Sequence, residues 1–123
     1  MKKSLLILTL ILFGVISMNA QDLSGRFKLD SLASNGTRIV EFVPEGVCSV
    51  LIHIEVNKKN IVEKVEFTRG CNGNGKGIGA LIKGMKVEEA ITRLKGIPCG
   101  KRATSCPDQL ATALIAMQEK SNK

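Results

Sequence analysis

Cys48-Ser49-Val50-Leu51-Ile52-His53-Ile54-Glu55-Val56, then Asn57-Lys58-Lys59-Asn60, then Ile61-Val62-Glu63-Lys64-Val65-Glu66-Phe67-Thr68, is the stretch that decides the fold. Cys48, Val50, Ile52, Ile54 and Val56 alternate with Ser49, Leu51, His53 and Glu55, the two-residue period of a strand with one buried face. The four polar residues at 57–60 supply a turn. The run 61–68 returns as a second strand, with Val65 and Phe67 facing one way and Lys64 and Glu66 the other. A β-hairpin is the expectation.

Working outward, Arg38 to Val43 is a short β-rich stretch stopped by Pro44, a third strand for the sheet. On the other side three segments share one helical template. Ile78, Leu81, Ile82 and Met85 fall at i, i+3, i+4 and i+7, as do Val87, Ala90, Ile91 and Leu94, and then Leu110, Ala113, Leu114 and Met117. Such stripes face a core. Gly84 and Gly96 stand where C-terminal caps belong, and Glu88-Glu89 stand in a first turn. Strands followed by helices predict an α+β fold: a small antiparallel sheet, the hairpin plus a short N-terminal strand, with three amphipathic helices packed on one face.

Residues 1–20 have the pattern of an export signal. Lys2-Lys3 precede an apolar run from Leu5 to Ile16, and Ser17-Met18-Asn19-Ala20 offers a cleavage site before Gln21. The run is too short for a membrane span, so no transmembrane span is expected in the mature chain. The predicted location is exported, periplasmic or secreted; the alternative is a cytoplasmic protein whose translation starts at Met18. Residues 21–37 read as a flexible lead-in, and residues 38–119 as the compact domain.

The 123 residues suit one domain and one core. The four aromatic residues are all Phe, which argues against a stacking surface for single-stranded nucleic acid. The formal net charge of +7 falls to +5 once Lys2 and Lys3 are set aside with the leader. The cations are scattered, and a solvated basic surface fits better than a nucleic-acid footprint.

Chemistry points to the four cysteines, Cys48, Cys71, Cys99 and Cys106. Each lies beside the end of an expected element. Cys48 opens one hairpin strand and Cys71 follows the other, which makes them expected neighbours. Cys99 follows Ile97-Pro98, and Cys106 starts the third helix. Pro107 and Asp108 fit a first helical turn, with Asp108 as the expected cap, and a thiol at that helix end is biased toward thiolate. One cluster of four thiols follows, able to hold zinc as a tetrahedron. The bland alternative is a set of buried thiols or disulfide staples; export leaves disulfides and metal evenly balanced, the cytosol favours metal.

Two other motifs carry less. Gly70, four residues, then Gly75-Lys76 has the outline of a phosphate loop, but Gly77 stands where the magnesium-holding Ser or Thr belongs. The glycines are read as letting the backbone curl around Cys71, with weak anion or nucleotide contact at Gly70–Gly77 left open. His53, the one histidine, lies on the face opposite Cys48. A Cys–His pair is disfavoured, and hydrolase chemistry has little support.

Gly46-Val47-Cys48-Ser49, Val65-Glu66-Phe67, Gly70-Cys71-Asn72-Gly73-Asn74, Gly77-Ile78, Gly84-Met85, Leu94-Lys95-Gly96-Ile97-Pro98-Cys99-Gly100 and Thr104-Ser105-Cys106-Pro107-Asp108-Gln109-Leu110 resemble the TSCPD-domain family. The resemblance spans Gly46 to about Met117. It implies that the four cysteines are signature thiols that hold a metal, zinc. These domains occur alone and as the C-terminal segment of adenosylcobalamin-dependent, class II ribonucleotide reductases. By family, an enzyme label would be ribonucleoside-diphosphate reductase, with a part in DNA synthesis. Catalysis by this chain on its own is not expected, nor is adenosylcobalamin, because the radical and cobalamin sites belong to a far larger barrel. The implied role is accessory: disulfide reduction, docking of an unknown protein partner, or nucleic-acid contact. The export signal and the glycine-rich Gly75-Lys76-Gly77 depart from the family pattern. A looser likeness to iron–sulfur scaffold proteins, in the order Cys48, Cys71, Cys106, also favours a metal site.

Three function classes therefore stand: a zinc-binding accessory module, a role connected with ribonucleotide reduction through thiol exchange or nucleotide binding, and an exported disulfide-stapled binding domain.

Overall fold

The computed structural model describes residues 22–123; the expected export signal lies outside them. After a short 3-10 turn at Ser24–Arg26, four strands follow: β1 (Phe27–Leu32), β2 (Arg38–Phe42), β3 (Leu51–Val56) and β4 (Val62–Thr68). They pair antiparallel in sequence order, β1-β2-β3-β4. Three helices complete the chain: α1 (Asn72–Ile82), α2 (Val87–Leu94) and α3 (Cys106–Ser121). The α+β arrangement is the one expected from the hairpin and the apolar stripes.

Period two holds along the hairpin. Ile52, Ile54 and Val56 are buried on β3, with Val62 and Val65 opposite them on β4, while His53 and Glu55 stay on the helix-free face. His53 lies across from Glu41 on one side and Glu66 on the other. Its Nε2 is 2.9 Å from Glu55 Oε1. The histidine is thus tied into carboxylates on the sheet face away from the thiols, as the alternation predicted.

The helices cover the other face unequally. On α3, Leu110, Ala111, Ala113 and Leu114 are fully buried, and Met117 nearly so. On α2, Val87, Ala90 and Leu94 turn inward. Gly84 and Gly96 adopt φ of +87° and +82° just past α1 and α2, the left-handed conformation that ends a helix.

Two expectations are corrected. Residues 21–37 were expected to form a flexible lead-in, yet Phe27–Leu32 pairs with β2 along its length. Phe27 meets the Phe42 ring edge-on, and Asp30 bonds to both Arg38 and Lys120. The strand escapes a periodicity search because it is an edge strand, exposed at every position after the half-buried Phe27. Second, the glycine segment after Cys71 is helical from Asn72 onward rather than a loop. Its packing explains the composition. A Cβ on Gly79 would stand 2.5 Å from the Val65 carbonyl oxygen, and one on Gly75 would be 3.3 Å from the Phe67 side chain. Only glycine lets α1 approach β4 that closely. The expected stripe on this helix also fails in part, since Leu81 is 75% exposed and Met85 lies beyond the helix end.

Candidate functional site: a groove lined by four thiols

The loop before β3, the end of β4, the turn after α2 and the start of α3 meet at one end of the domain. Each contributes one cysteine to a groove of about 470 Å³, lined by Cys48, Cys71, Cys99 and Cys106. The remaining lining is largely apolar, with Phe67, Ile78, Leu81, Ile97 and Pro98, and Arg69 is its one charged residue. All four cysteines carry free thiols.

Within the groove the thiols are not equivalent. Cys48 Sγ lies 3.9 Å from Cys106 Sγ. Gly70, at φ +83°, makes room for that sulfur, because a Cβ there would stand 3.1 Å from it. The expected hairpin neighbour of Cys48 was Cys71; the contact instead goes to Cys106, while Cys71 and Cys99 line the groove without joining it. No three Cys, His, Asp or Glu side chains among the described residues are grouped closely enough to hold a metal ion. Sequence reasoning thus brings all four sulfurs to one groove, and the structure closes only one pair.

The position of Cys106 is built by the residues around it. Ser105 caps α3, its hydroxyl accepting from the Asp108 amide at 3.2 Å. Asp108 is therefore not the cap expected from its position. Its carboxylate accepts instead from the Gly96 amide at 2.6 Å and from the Thr104 hydroxyl at 2.6 Å, clamping the end of α2 to the start of α3. Gln109, nearly buried, donates to Thr104 Oγ1, and its carbonyl accepts from the Glu45 amide at 3.0 Å and from Arg26. Ser105, Asp108 and Gln109 thus each hold a separate backbone amide around one sulfur, Thr104 bridges the Asp108 and Gln109 side chains, and Pro107 occupies a first-turn position where no amide is needed.

Ser49 is the residue that sequence reasoning passed over. It is buried, and its hydroxyl donates to Cys106 Sγ at 3.2 Å. Burial pushes the Cys106 thiol up, but hydrogen bonds from the Ser49 hydroxyl and amide, and from Cys48, outweigh it and hold the thiol below its ordinary pKa. The available signal was adjacency to Cys48 in Gly46-Val47-Cys48-Ser49, with Ser49 on the inward side of a loop rather than on an outward strand face.

The glycine-rich segment Gly70–Gly77 has no phosphate-loop shape, since all of it from Asn72 onward is the first turns of α1. No helix among the described residues is long and apolar enough to cross a membrane.

Neither a curated protein nor a solved structure matches the chain. A family model does, that of the TSCPD domain, over residues 27–118. The match starts at the first residue of β1 and runs to near the end of α3, so it takes in the whole sheet, all three helices and every cysteine. With Thr104 to Asp108 arranged around the groove as described, the chain belongs to the TSCPD-domain family.

Proposed function

We propose that this domain is a zinc-binding accessory or interaction module, related to the C-terminal domain of class II ribonucleotide reductases, in which Cys48, Cys71, Cys99 and Cys106 hold the metal. The observation that carries the reading is that four cysteines from four separate segments line one groove. Two further points support it. The donor set is all-cysteine, which suits zinc, and the 3.9 Å Cys48–Cys106 separation is close to the ~3.8 Å edge of a tetrahedron with ~2.3 Å zinc–sulfur bonds. Cys71, just ahead of α1, and Cys99, in the turn after α2, would then close on the pair. Bound zinc would supply folding energy and a rigid surface rather than redox chemistry.

The chain's own residues prepare that site. Ser49 and the α3 terminus favour the thiolate of Cys106, the form a metal requires. The exposed apolar lining residues give a partner something to bury against, and an accessory role follows from that surface. Export by way of residues 1–20 belongs to the same proposal; it would separate the domain from deoxynucleotide synthesis and leave the interaction role.

Metal analysis of the protein purified from its native compartment, combined with thiol counting, tests the reading. One zinc per chain with four thiols shielded from alkylation is the expected result; no metal with four readily alkylated thiols would overturn it. Cys106→Ser should lower stability by about 3 kcal/mol or more, because metal binding and folding are linked. An unchanged melting temperature for that variant would remove the structural metal.

A further inference from the structure

We propose that Cys48 and Cys106 form a reversible disulfide, so that the groove is a redox-controlled site with two thiols that switch and two that do not. The inference starts from the inequality of the four sulfurs. Cys48 and Cys106 are in contact at 3.9 Å, and Cys71 and Cys99 make no such contact. Closing that gap to a bond of ~2.05 Å takes side-chain rotation at two positions, one of them in a loop. Cys48 lies in the segment between β2 and β3, outside any strand, and its thiol is exposed. Gly70 leaves the space in which the sulfur can turn. Cys106 is half-buried at the fixed start of α3, held by Ser49.

That asymmetry orders the chemistry. The exposed Cys48 thiolate attacks a small-molecule disulfide, forming a mixed disulfide and releasing one thiol. Cys106 then attacks the Cys48 sulfur, forming the internal bond and releasing the second thiol. The external disulfide is reduced to two thiols, and the two cysteines are oxidised, their protons passing to the released thiolates. Excess small thiol reverses both steps.

The pair stands on geometry alone. Its consequence for zinc rests on the reading above: a bonded Cys48–Cys106 no longer offers two thiolates, so oxidation would expel the metal.

The test equilibrates the full chain, with and without zinc, in graded mixtures of a reduced thiol and its disulfide, quenches with an alkylating agent and maps the linked peptides. The expected first linkage is Cys48–Cys106, with Cys71 and Cys99 still alkylated and full reversal by excess thiol. A first linkage between any other two cysteines, or none across the whole range, overturns the proposal. A chromophoric chelator follows zinc in the same samples, and release in step with the linkage upholds both readings. Linkage in a chain that never binds zinc upholds the pair and sinks the metal reading. The Cys71→Ser/Cys99→Ser variant guards against scrambling from lost metal: it should still close Cys48–Cys106, and a failure to close while its circular dichroism stays native also overturns the proposal.

Discussion

Helices α1 and α3 lie at the same groove and are held in opposite ways. α3 has seven buried residues, among them Leu110 and Leu114 with no exposed surface. α1 has one, Ile82. α3 is fixed by side chains that leave water, whereas α1 is fixed by the absence of side chains, its backbone resting against β4 at Gly75 and Gly79. The lesson is that one rim of the groove is anchored in the core and the other is a close backbone fit, more easily displaced.

The largest break in this comparison should come from Leu114→Ala, which opens a cavity under α3. A loss of about 3 kcal/mol is expected in denaturant melts; a loss below about 1 kcal/mol would mean that α3 is not the anchor. Gly79→Ala comes next, since the added methyl would meet the Val65 carbonyl oxygen at 2.5 Å. About 2 kcal/mol should be lost, mostly as displacement of α1. Gly77→Ala sharpens the same point with opposite sign. Nothing lies within 4 Å of a Cβ there, so the helix should gain about 0.5–1 kcal/mol from the better helix former. Two substitutions, two positions apart, would separate packing from propensity.

The smallest effect concerns the tie from α3 to β1. Asp30 accepts from Arg38 and Lys120, and the Arg38 bond above all holds its carboxyl down to about 2. Because the folded value is depressed from 3.8, this stabilisation is present above about pH 3.8 and is lost as pH falls through about 2. Asp30→Asn should therefore flatten the stability curve between those values and leave its slope near neutrality unchanged. An identical acid limb in the variant would show the tie to be idle.

How much of this was legible in the sequence differs by element. Ile52, Ile54 and Val56 alternate because one sheet face is covered, and Leu110, Ala113, Leu114 and Met117 repeat because one helix face is, so the hairpin and α3 could be read directly. β1 could not, because an edge strand with polar residues carries no such pattern; Phe27 alone hints at it. α1 hid for a different reason. Gly73, Gly75, Gly77 and Gly79 lower helix propensity, and the close approach to β4 calls for glycine at Gly75 and Gly79 but not at Gly73 or Gly77. At the site, the cysteines announced the groove by composition. Which two would touch depended on Gly70, which has no side chain to betray it, and on the path of the loop between β2 and β3, which follows no periodic pattern. Ser49 and Asp108 were visible as residues but not as partners, because their bonds run to Cys106 and Gly96, remote or ambiguous in sequence.

The closeness of Gly79 to Val65 has a further effect at the scale of assembly. Together with the bonds from Val62 to Met85 and from Gly84 back to Val62, it covers the outer margin of β4 from Val62 to Val65. Among the described residues, the edge left for an added ribbon is therefore that of β1, whose polar, exposed residues make it a poor template for pairing.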